Sequence, residues 1–354
     1  DPDRVEEISG EDRIVFLSKK KKIGESASVC SRTAAGKETW QIHEWFGGLL
    51  HPFMYLPWGK EGSEKMIDGK TAVCAVIGNP VEHTLSPAIH NTLAKQLGMN
   101  LTYVPFRVEA QAVGEAVKGA YALNLLGLNV TVPHKGAVIP FLESVDEEAA
   151  LIGAVNTLVR TEHGYRGYNT DLKGLYRALL SEGIRLEGER VILLGAGGAA
   201  RAAAFLCALR GADRIYLLNR SQDRAVQVAE EVNRGAGREC VVPMELSGWR
   251  RIPAGSYLAI QGTSVGLSPR TEEAVIEEED FYRMIHTGFD LVYRPADTKF
   301  MRLVRGAGGR AFNGLKMLLY QGVEAFELWN GVKVTEEQAA VCYERMKEEL
   351  DKCE

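Results

Sequence analysis

The sequence predicts an α/β protein. Three observations carry this. Apolar, strand-like runs alternate with helical periods from Met66 onward, a second such series opens on a glycine-rich turn at Gly195, and residues 1 to 65 show neither period. At 354 residues the chain has the length of two domains or one large one.

Residues 1 to 65 come first. "SKKKKIGESASVCSRTAAGKETWQIHEW" has no sustained period of 2 or 3.6. No apolar stretch follows the lysine run, so it is no secretory signal and reads as a solvated patch. Met66 reads as a natural start. The segment before it is expected to be a disordered or irregular extension that folding and activity do not need.

The first alternating series follows. "AVCAVIG" reads as a buried strand. "SPAIHNTLAKQLG" reads as a helix with Ser86 as N-cap, Pro87 in the first turn and Gly98 as stop. "TYVPFRV" is a strand, "QAVGEAVKGAYAL" a helix and "GLNVTV" a strand. The second series is strand "RVILLG", helix "GAARAAAFLCALRGA", strand "RIYLLNR" and helix "SQDRAVQVAEEVNRG", then strands "SYLAIQGTS" and "GFDLVY". "GLKMLLYQGVEAFELWNG" is a strong helix, and another starts near Thr335. This is the β-α-β signature of a mostly parallel sheet.

Composition excludes several classes. Basic and acidic residues nearly balance, 42 against 47, whereas a nucleic-acid protein shows a basic face. No apolar run reaches the roughly 18 residues of a membrane span. The six cysteines, Cys30, Cys74, Cys207, Cys240, Cys342 and Cys353, form no CxxC, and the seven histidines form no HxH or HxxxH pair. Neither a disulfide framework nor a metal is expected, and the cysteine usage points to a reducing cytoplasm.

The glycine-rich turn "VILLGAGGAARA" spans 191–202, between a buried strand and a helix. Its glycines let a backbone approach a pyrophosphate seated on the helix N-terminus, which points to nucleotide binding. At the ribose-reading position stands "NRSQDR", with Asn219, Arg220, Ser221 and Arg224 and no acid at the strand end. An acid there would favour NAD; arginine forks suit a 2′-phosphate, so NADP is favoured.

Other residues stand out as chemistry-bearing. "NVTVPHKGA" places Lys135 where a strand hands over to an expected helix, whose N-terminus disfavours a cation. Something other than solvent should want it there. "HTLSPAIHN" offers two hydroxyls, Thr84 and Ser86, beside free helix amides, a sensible carboxylate cradle. Ser86 is also an ordinary helix start. Asp171 of "YNTDLKGL" is a catalytic candidate or a simple N-cap. Gln321 sits on an apolar helix stripe with Gly314, Leu318, Ala325 and Leu328, and its amide needs a partner that a polar ligand could supply.

In order, "HTLSP", "NVTVPHK", "GAVNT", "YNTDLKG", "GAGGAARA", "NRSQDR", "TSVG", "DLVYRP" and "GLKMLLYQG" resemble the shikimate dehydrogenases (the shikimate/quinate dehydrogenase family) from about Met66 to the C-terminus. Residues 1 to 65 match nothing in that pattern. The resemblance implies two α/β domains across a cleft. Residues 66–170 and 314–354 would form the substrate-binding catalytic domain, and 171–313 a Rossmann-type NADP-binding domain. The activity implied is reversible, NADPH-dependent reduction of 3-dehydroshikimate to shikimate, a step of chorismate and aromatic amino acid biosynthesis, by a monomer or homodimer with no nucleic-acid or membrane partner.

The resemblance also assigns roles. Thr84 and Ser86 would bind the substrate carboxylate. Thr131, Asn156, Asp171 and Gln321 would hold ring hydroxyls, with Lys135 at the reacting oxygen and Tyr293 close by. Lys135 and Asp171 would be the catalytic pair, and which of them moves the proton stays open. Gly195, Ala196, Gly197, Gly198, Ala199, Asn219, Arg220, Ser221, Arg224, Thr263, Leu291 and Gly314 would contact the cofactor, and no residue a metal. Three positions depart from the family pattern. It usually has serine at Thr84 and asparagine at Gln261, and often asparagine at Arg294. Quinate or dual quinate/shikimate activity therefore remains an alternative. A catalytically silent NADP-binding regulator of the same fold should have lost Lys135 or Asp171. A glutamyl-tRNA reductase needs a nucleophilic cysteine, and Cys74 lies in an apolar strand.

Overall fold

In a computed structural model of the chain, residues 67–352 and three strands nearer the N-terminus are described. The chain divides into two units, Asp1–Met66 and Ile67–Glu354. In the first, strands β1 (Ile14–Leu17), β2 (Ser26–Arg32) and β3 (Glu38–Glu44) pair antiparallel in that order. The expected irregularity of residues 1 to 65 otherwise falls outside the described residues.

The second unit holds two six-stranded sheets. Its first half runs β4 (Ala72–Gly78), α1 (Ser86–Gln96), β5 (Leu101–Arg107), α2 (Val113–Ala122), β6 (Gly127–Val130), β7 (Ser144–Val145), α3 (Glu147–Ile152), β8 (Thr157–Arg160), β9 (Tyr165–Tyr168) and α4 (Thr170–Ser181). The sheet order is β5-β4-β6-β8-β9-β7. β4 pairs parallel with β5 and β6, while β8 runs antiparallel to both β6 and β9. The β8–β9 hairpin brings two antiparallel pairings into a sheet whose other three are parallel, as expected, and no period in the sequence marked the hairpin.

The second half runs β10 (Arg190–Leu194), α5 (Gly198–Leu209), β11 (Arg214–Asn219), α6 (Gln222–Ala236), β12 (Val241–Glu245), β13 (Tyr257–Gln261), α7 (Glu279–Tyr282), β14 (Ile285–Asp290), α8 (Lys299–Gly306), β15 (Arg310–Phe312), α9 (Leu315–Asn330) and α10 (Glu336–Asp351). Its sheet is wholly parallel in the order β12-β11-β10-β13-β14-β15. This is the doubly wound dinucleotide-binding order, with its switch point between β10 and β13.

The central strands are apolar throughout because both faces are covered. Along β10, Val191 and Leu193 enter one core while Ile192 and Leu194 enter another. Along β4, Cys74 and Val76 alternate with Ala75 and Ile77 in the same way. Helices α4 and α9 join the halves and pack closely. A Cβ on Gly174 would lie 2.5 Å from the Gln321 backbone nitrogen, so only glycine admits this approach.

Three local expectations change. Helix α1 starts at Ser86 itself with Leu85 as N-cap, and the Ser86 N–H donates to Thr84 Oγ1 at 3.3 Å. Thr84 thus has the local capping-like duty the sequence did not give it. Asp171 is no N-cap: Asn169 caps α4 by accepting from the Leu172 N–H at 3.2 Å. No α-helix directly follows β6. Residues 132–138 form turns leading to a short 3₁₀ segment at Ile139–Phe141, so Lys135 faces no helix dipole of its own.

Candidate active site

The carboxyl ends of β4 and β6, the start of α1, the first turn of α4 and the N-terminal half of α9 surround a cavity of about 330 Å³. Thr84, Ser86, Thr131, Lys135, Asn156, Asp171, Tyr293 and Gln321 all line it. The sequence had placed all eight at a substrate.

Lys135 is held at one side. Its ammonium donates to Asp171 Oδ2 at 2.6 Å, and the two side chains are 31% and 17% exposed. Asn169 takes the capping duty of α4, which leaves the Asp171 carboxylate for the lysine. The Lys135 carbonyl accepts from the Val155 N–H at 2.8 Å, tying the turn to the segment that carries Asn156 into β8. This charge-assisted contact leaves two further ammonium protons for a ligand oxygen.

The amides are preorganised. Asn156 Oδ1 accepts from the Thr170 N–H at 2.7 Å and from the Thr157 and Thr170 hydroxyls, both at 3.2 Å. That saturates its oxygen and leaves Nδ2 only a long 3.5 Å contact to Gln321 Oε1. Gln321 Nε2 donates to the Leu318 carbonyl at 2.9 Å. The stripe amide therefore has protein partners and still borders the cavity. Opposite, the Thr84 hydroxyl donates to Ser86 Oγ at 3.2 Å.

Asn129, His83 and Met317 also line the cavity and were not singled out from sequence. Asn129 had a readable signal. It is an amide inside the apolar run "GLNVTV", and it is 5% exposed, so it had to have partners. It accepts from the Tyr103 hydroxyl at 2.7 Å and donates to the Asn156 carbonyl and Thr157 Oγ1.

Of the cofactor candidates, Leu291 and Gly314 line the same cavity. The expected strand "GFDLVY" ends at Asp290, which frees Leu291 to Tyr293 as a loop. Asp290 anchors that loop. Fully buried, it accepts from the Val292 N–H at 3.0 Å, Gln261 Nε2 at 3.2 Å and the Thr298 hydroxyl at 2.6 Å. Burial pushes its carboxyl up to about 6 against the pull of the Thr298 hydroxyl and the Val292 N–H. Burial likewise raises the Tyr293 phenol, partly offset by Arg294.

The other cofactor candidates sit at the ends of β10, β11 and β13. Gly195 has φ +106°, open to glycine and rarely to other residues, and packs on Thr263. A Cβ on Gly197 or Gly198 would meet nothing within 4 Å, so backbone is open to a pyrophosphate at the start of α5. Ser221 caps α6 by accepting from the Arg224 N–H at 3.4 Å, and Asn219 Nδ2 donates to the Ser221 carbonyl. Arg220 and Arg224 are exposed and make no ion pair among the described residues. Two uncommitted guanidinium groups beside an N-terminus, with no acid at the strand end, fit a dinucleotide bearing a 2′-phosphate.

Cys74 is fully buried and its thiol is pushed up to about 12 by burial, so it is no nucleophile. Among the described residues no cluster of three or more His, Cys, Asp or Glu side chains could hold a metal ion. No described helix is long and apolar enough to cross a membrane.

Residues 76–158 match the shikimate dehydrogenase substrate binding domain, and residues 314–339 the shikimate 5'-dehydrogenase C-terminal domain. The chain is 45% identical over 271 residues to shikimate dehydrogenase (NADP(+)) of Desulforamulus reducens, covering 75% of this chain and 92% of the relative. A crystal structure of a shikimate dehydrogenase in complex with NADP+ superposes with a TM-score of 0.73 at 33% identity, over 80% of this chain and 97% of that one. The Thermus thermophilus enzyme in complex with NADP(H) and shikimate gives 0.69 at 34% identity, over 79% and 100%. On this similarity, which covers three quarters or more of the chain, the chain belongs to the shikimate dehydrogenase family.

Proposed function

We propose that the chain is an NADP-dependent shikimate dehydrogenase, an oxidoreductase that reversibly reduces the ketone of 3-dehydroshikimate to the CH–OH of shikimate. The observation that carries this reading is the Lys135–Asp171 contact at 2.6 Å on the wall of a cavity lined by the Thr84, Ser86 and Thr131 hydroxyls and the Asn129, Asn156 and Gln321 amides. A ring with one carboxylate and several hydroxyls needs those groups.

Thr84 and Ser86 bind the substrate carboxylate. Asn156, Gln321, Thr131 and Asp171 hold ring hydroxyls, and Tyr293 covers the ring. The bound dinucleotide supplies hydride in the reductive direction. As the substrate carbonyl carbon is reduced, its oxygen gains negative charge. Lys135 stabilises that charge with a directed hydrogen bond and delivers the proton, while Asp171 holds the ammonium in line. In oxidation Lys135 accepts the hydroxyl proton.

Residues 66–170 with 314–354 are the substrate domain and 171–313 the NADP domain. The grouping of strands supports this, since every strand of one sheet falls within 72–168 and every strand of the other within 190–312. Gly195 to Ala199 cradle the pyrophosphate. Asn219, Arg220, Ser221 and Arg224 hold the adenosine end, and Thr263, Leu291 and Gly314 border the nicotinamide. The protein acts on its small-molecule substrate in the cytoplasm, as a monomer or homodimer without nucleic acid.

The test is a spectrophotometric NADP-reduction assay with shikimate and quinate side by side. Reduction with shikimate is expected; no reduction with either would overturn the reading.

A further inference from the structure

Beneath the cavity floor lies a buried group that the reaction does not use. Helix α1 opens on Ser86 and carries His90 four residues on, one turn along the same face. His90 is fully buried, and neither ring nitrogen has a partner in good hydrogen-bonding geometry, only a weak interaction with the Asn129 side chain. Its ring stacks on Tyr103, with centroids 4.2 Å apart and planes at 18°, and Trp329 flanks it at 5.0 Å. Asn91 clamps Tyr103 from the same helix. It accepts from the Tyr103 N–H at 2.8 Å and donates to the Tyr103 carbonyl at 3.1 Å. The phenol is thus fixed in place by backbone and by stacking.

A buried imidazole with no well-formed hydrogen bond leaves its N–H donor poorly met, which destabilises the fold and calls for a reason. Counting donors around Ser86 supplies one. Ser86 Oγ accepts from the Thr84 hydroxyl at 3.2 Å. A carboxylate bound at this pair draws both hydroxyl protons to itself. Thr84 then withdraws its hydrogen bond, and the Ser86 oxygen loses its donor. The Tyr103 hydroxyl lies beside the Ser86 side chain. It now donates to Asn129 Oδ1 at 2.7 Å, while both Asn129 amide protons are committed to the Asn156 carbonyl and Thr157 Oγ1. Should the phenol turn its proton to Ser86, Asn129 Oδ1 needs a new donor, and the His90 ring lies beside the Asn129 side chain.

We propose that Tyr103 and His90 are positioning residues for the carboxylate-binding hydroxyl of Ser86. On substrate binding the Tyr103 proton turns from Asn129 to Ser86, and the poorly met N–H of His90 takes its place on Asn129. Every acceptor vacated is refilled, and no charge moves. Burial holds the phenol well above its ordinary value and the imidazole down to about 3, so both stay neutral through the switch. The two residues act through Ser86 and touch no substrate atom.

This inference rests on the shikimate reading, and its experiment separates the two. Wild type, Tyr103→Phe, His90→Phe and His90→Gln are assayed with saturating NADP on shikimate and on its methyl ester. Wild type that fails to oxidise shikimate overturns the functional reading itself. With wild type active, Tyr103→Phe should raise KM for shikimate roughly twofold to tenfold, the span of one net hydrogen bond, with kcat nearly unchanged. KM for the ester, which lacks the charge that draws the Ser86 proton, should not change. His90→Phe keeps the stacking but lacks the N–H and should show the same split in smaller measure; His90→Gln restores a donor and should recover the wild-type KM. Equal KM rises for acid and ester would show a merely structural role and overturn the proposal. So would a Tyr103→Phe enzyme with unchanged shikimate KM. Should Tyr103→Phe not fold, the His90→Phe and His90→Gln pair decides by the same criterion.

Discussion

Lys135 Nζ and Asp171 Oδ2 stand 2.6 Å apart although 36 residues separate them in the chain. The lysine comes from a turn after β6 and the aspartate from the first turn of α4, so the fold itself assembles the pair. Lys135→Ala should lower kcat by ~10²- to 10⁴-fold, the usual worth of a positioned proton donor, with a much smaller change in KM. Steady-state kinetics in both directions check this. A variant whose KM rises while kcat holds would make Lys135 a binding residue only.

Arg220 is exposed just past the end of β11 and makes no ion pair among the described residues. Arg220→Ala should weaken NADP by about tenfold to a hundredfold, the range for losing one hydrogen bond to a charged group, and leave NAD scarcely changed. Titration of both dinucleotides measures it. Equal losses would show that this guanidinium does not read the 2′-phosphate.

Thr84 donates to Ser86 Oγ and accepts from the Ser86 N–H, so its methyl has a fixed place at the cavity. Quinate carries an extra hydroxyl on the carbon bearing the carboxylate. That hydroxyl must fit beside this methyl, which brings no second donor. An unpaired buried hydroxyl costs about 1–3 kcal/mol, so shikimate should win by roughly tenfold or more in kcat/KM. Thr84→Ser should relax the preference while keeping shikimate turnover. Equal wild-type turnover of both acids contradicts this account.

Much of this site was legible because its residues break local rules. Lys135, Thr84 and Gln321 each carried a polar group where the local pattern asked for none, and all three line the cavity. Strands β4 and β10 were legible because both faces are buried and the apolar run is unbroken. The β8–β9 hairpin was not, because "TLVR" and "YRGY" are four residues each and their pairing across a turn leaves no period long enough to read. His90 and Tyr103 were passed over for a different reason. Each looks like an ordinary core residue alone, and only the poorly met imidazole in three dimensions sets them apart.

Asp290 makes stability depend on pH in a definite direction. Its carboxyl is raised from 3.8 to about 6 in the folded state, so the folded protein binds this proton more tightly than the unfolded chain does. The stability this contributes is fully present below about pH 4 and is lost as pH rises through about 6. Asp290→Asn cannot lose it. The Tm of the variant relative to wild type should therefore rise by roughly 2–5 °C between about pH 4 and pH 7. Thermal melts of both proteins across that window test the claim, and a difference that stays flat or falls refutes it.

Gly314 closes the cavity by letting two backbones touch. A Cβ on it would lie 2.3 Å from the Leu291 carbonyl oxygen and 2.7 Å from its carbon, and neither is a flexible side-chain end that could move aside. Its φ of −77° suits any residue, so the constraint is contact and not conformation. The Gly314 N–H also donates to the Val292 carbonyl at 3.0 Å, and the Leu291 N–H to the Gln261 carbonyl at 2.9 Å. Alanine here must push Leu291 against that lattice, and Tyr293 follows two residues later on the cavity wall. Gly314→Ala should destabilise by about 1–3 kcal/mol, as overpacking does, and lower kcat/KM for shikimate and NADP together. Gly119, inside α2, is the control. Its added Cβ meets nothing within 4 Å, so Gly119→Ala should leave activity intact and stabilise by roughly 0.5–1 kcal/mol through helix propensity. Denaturant titration and steady-state kinetics on both variants give the comparison. If Gly314→Ala matches wild type in both, the close approach of Leu291 does not shape the site.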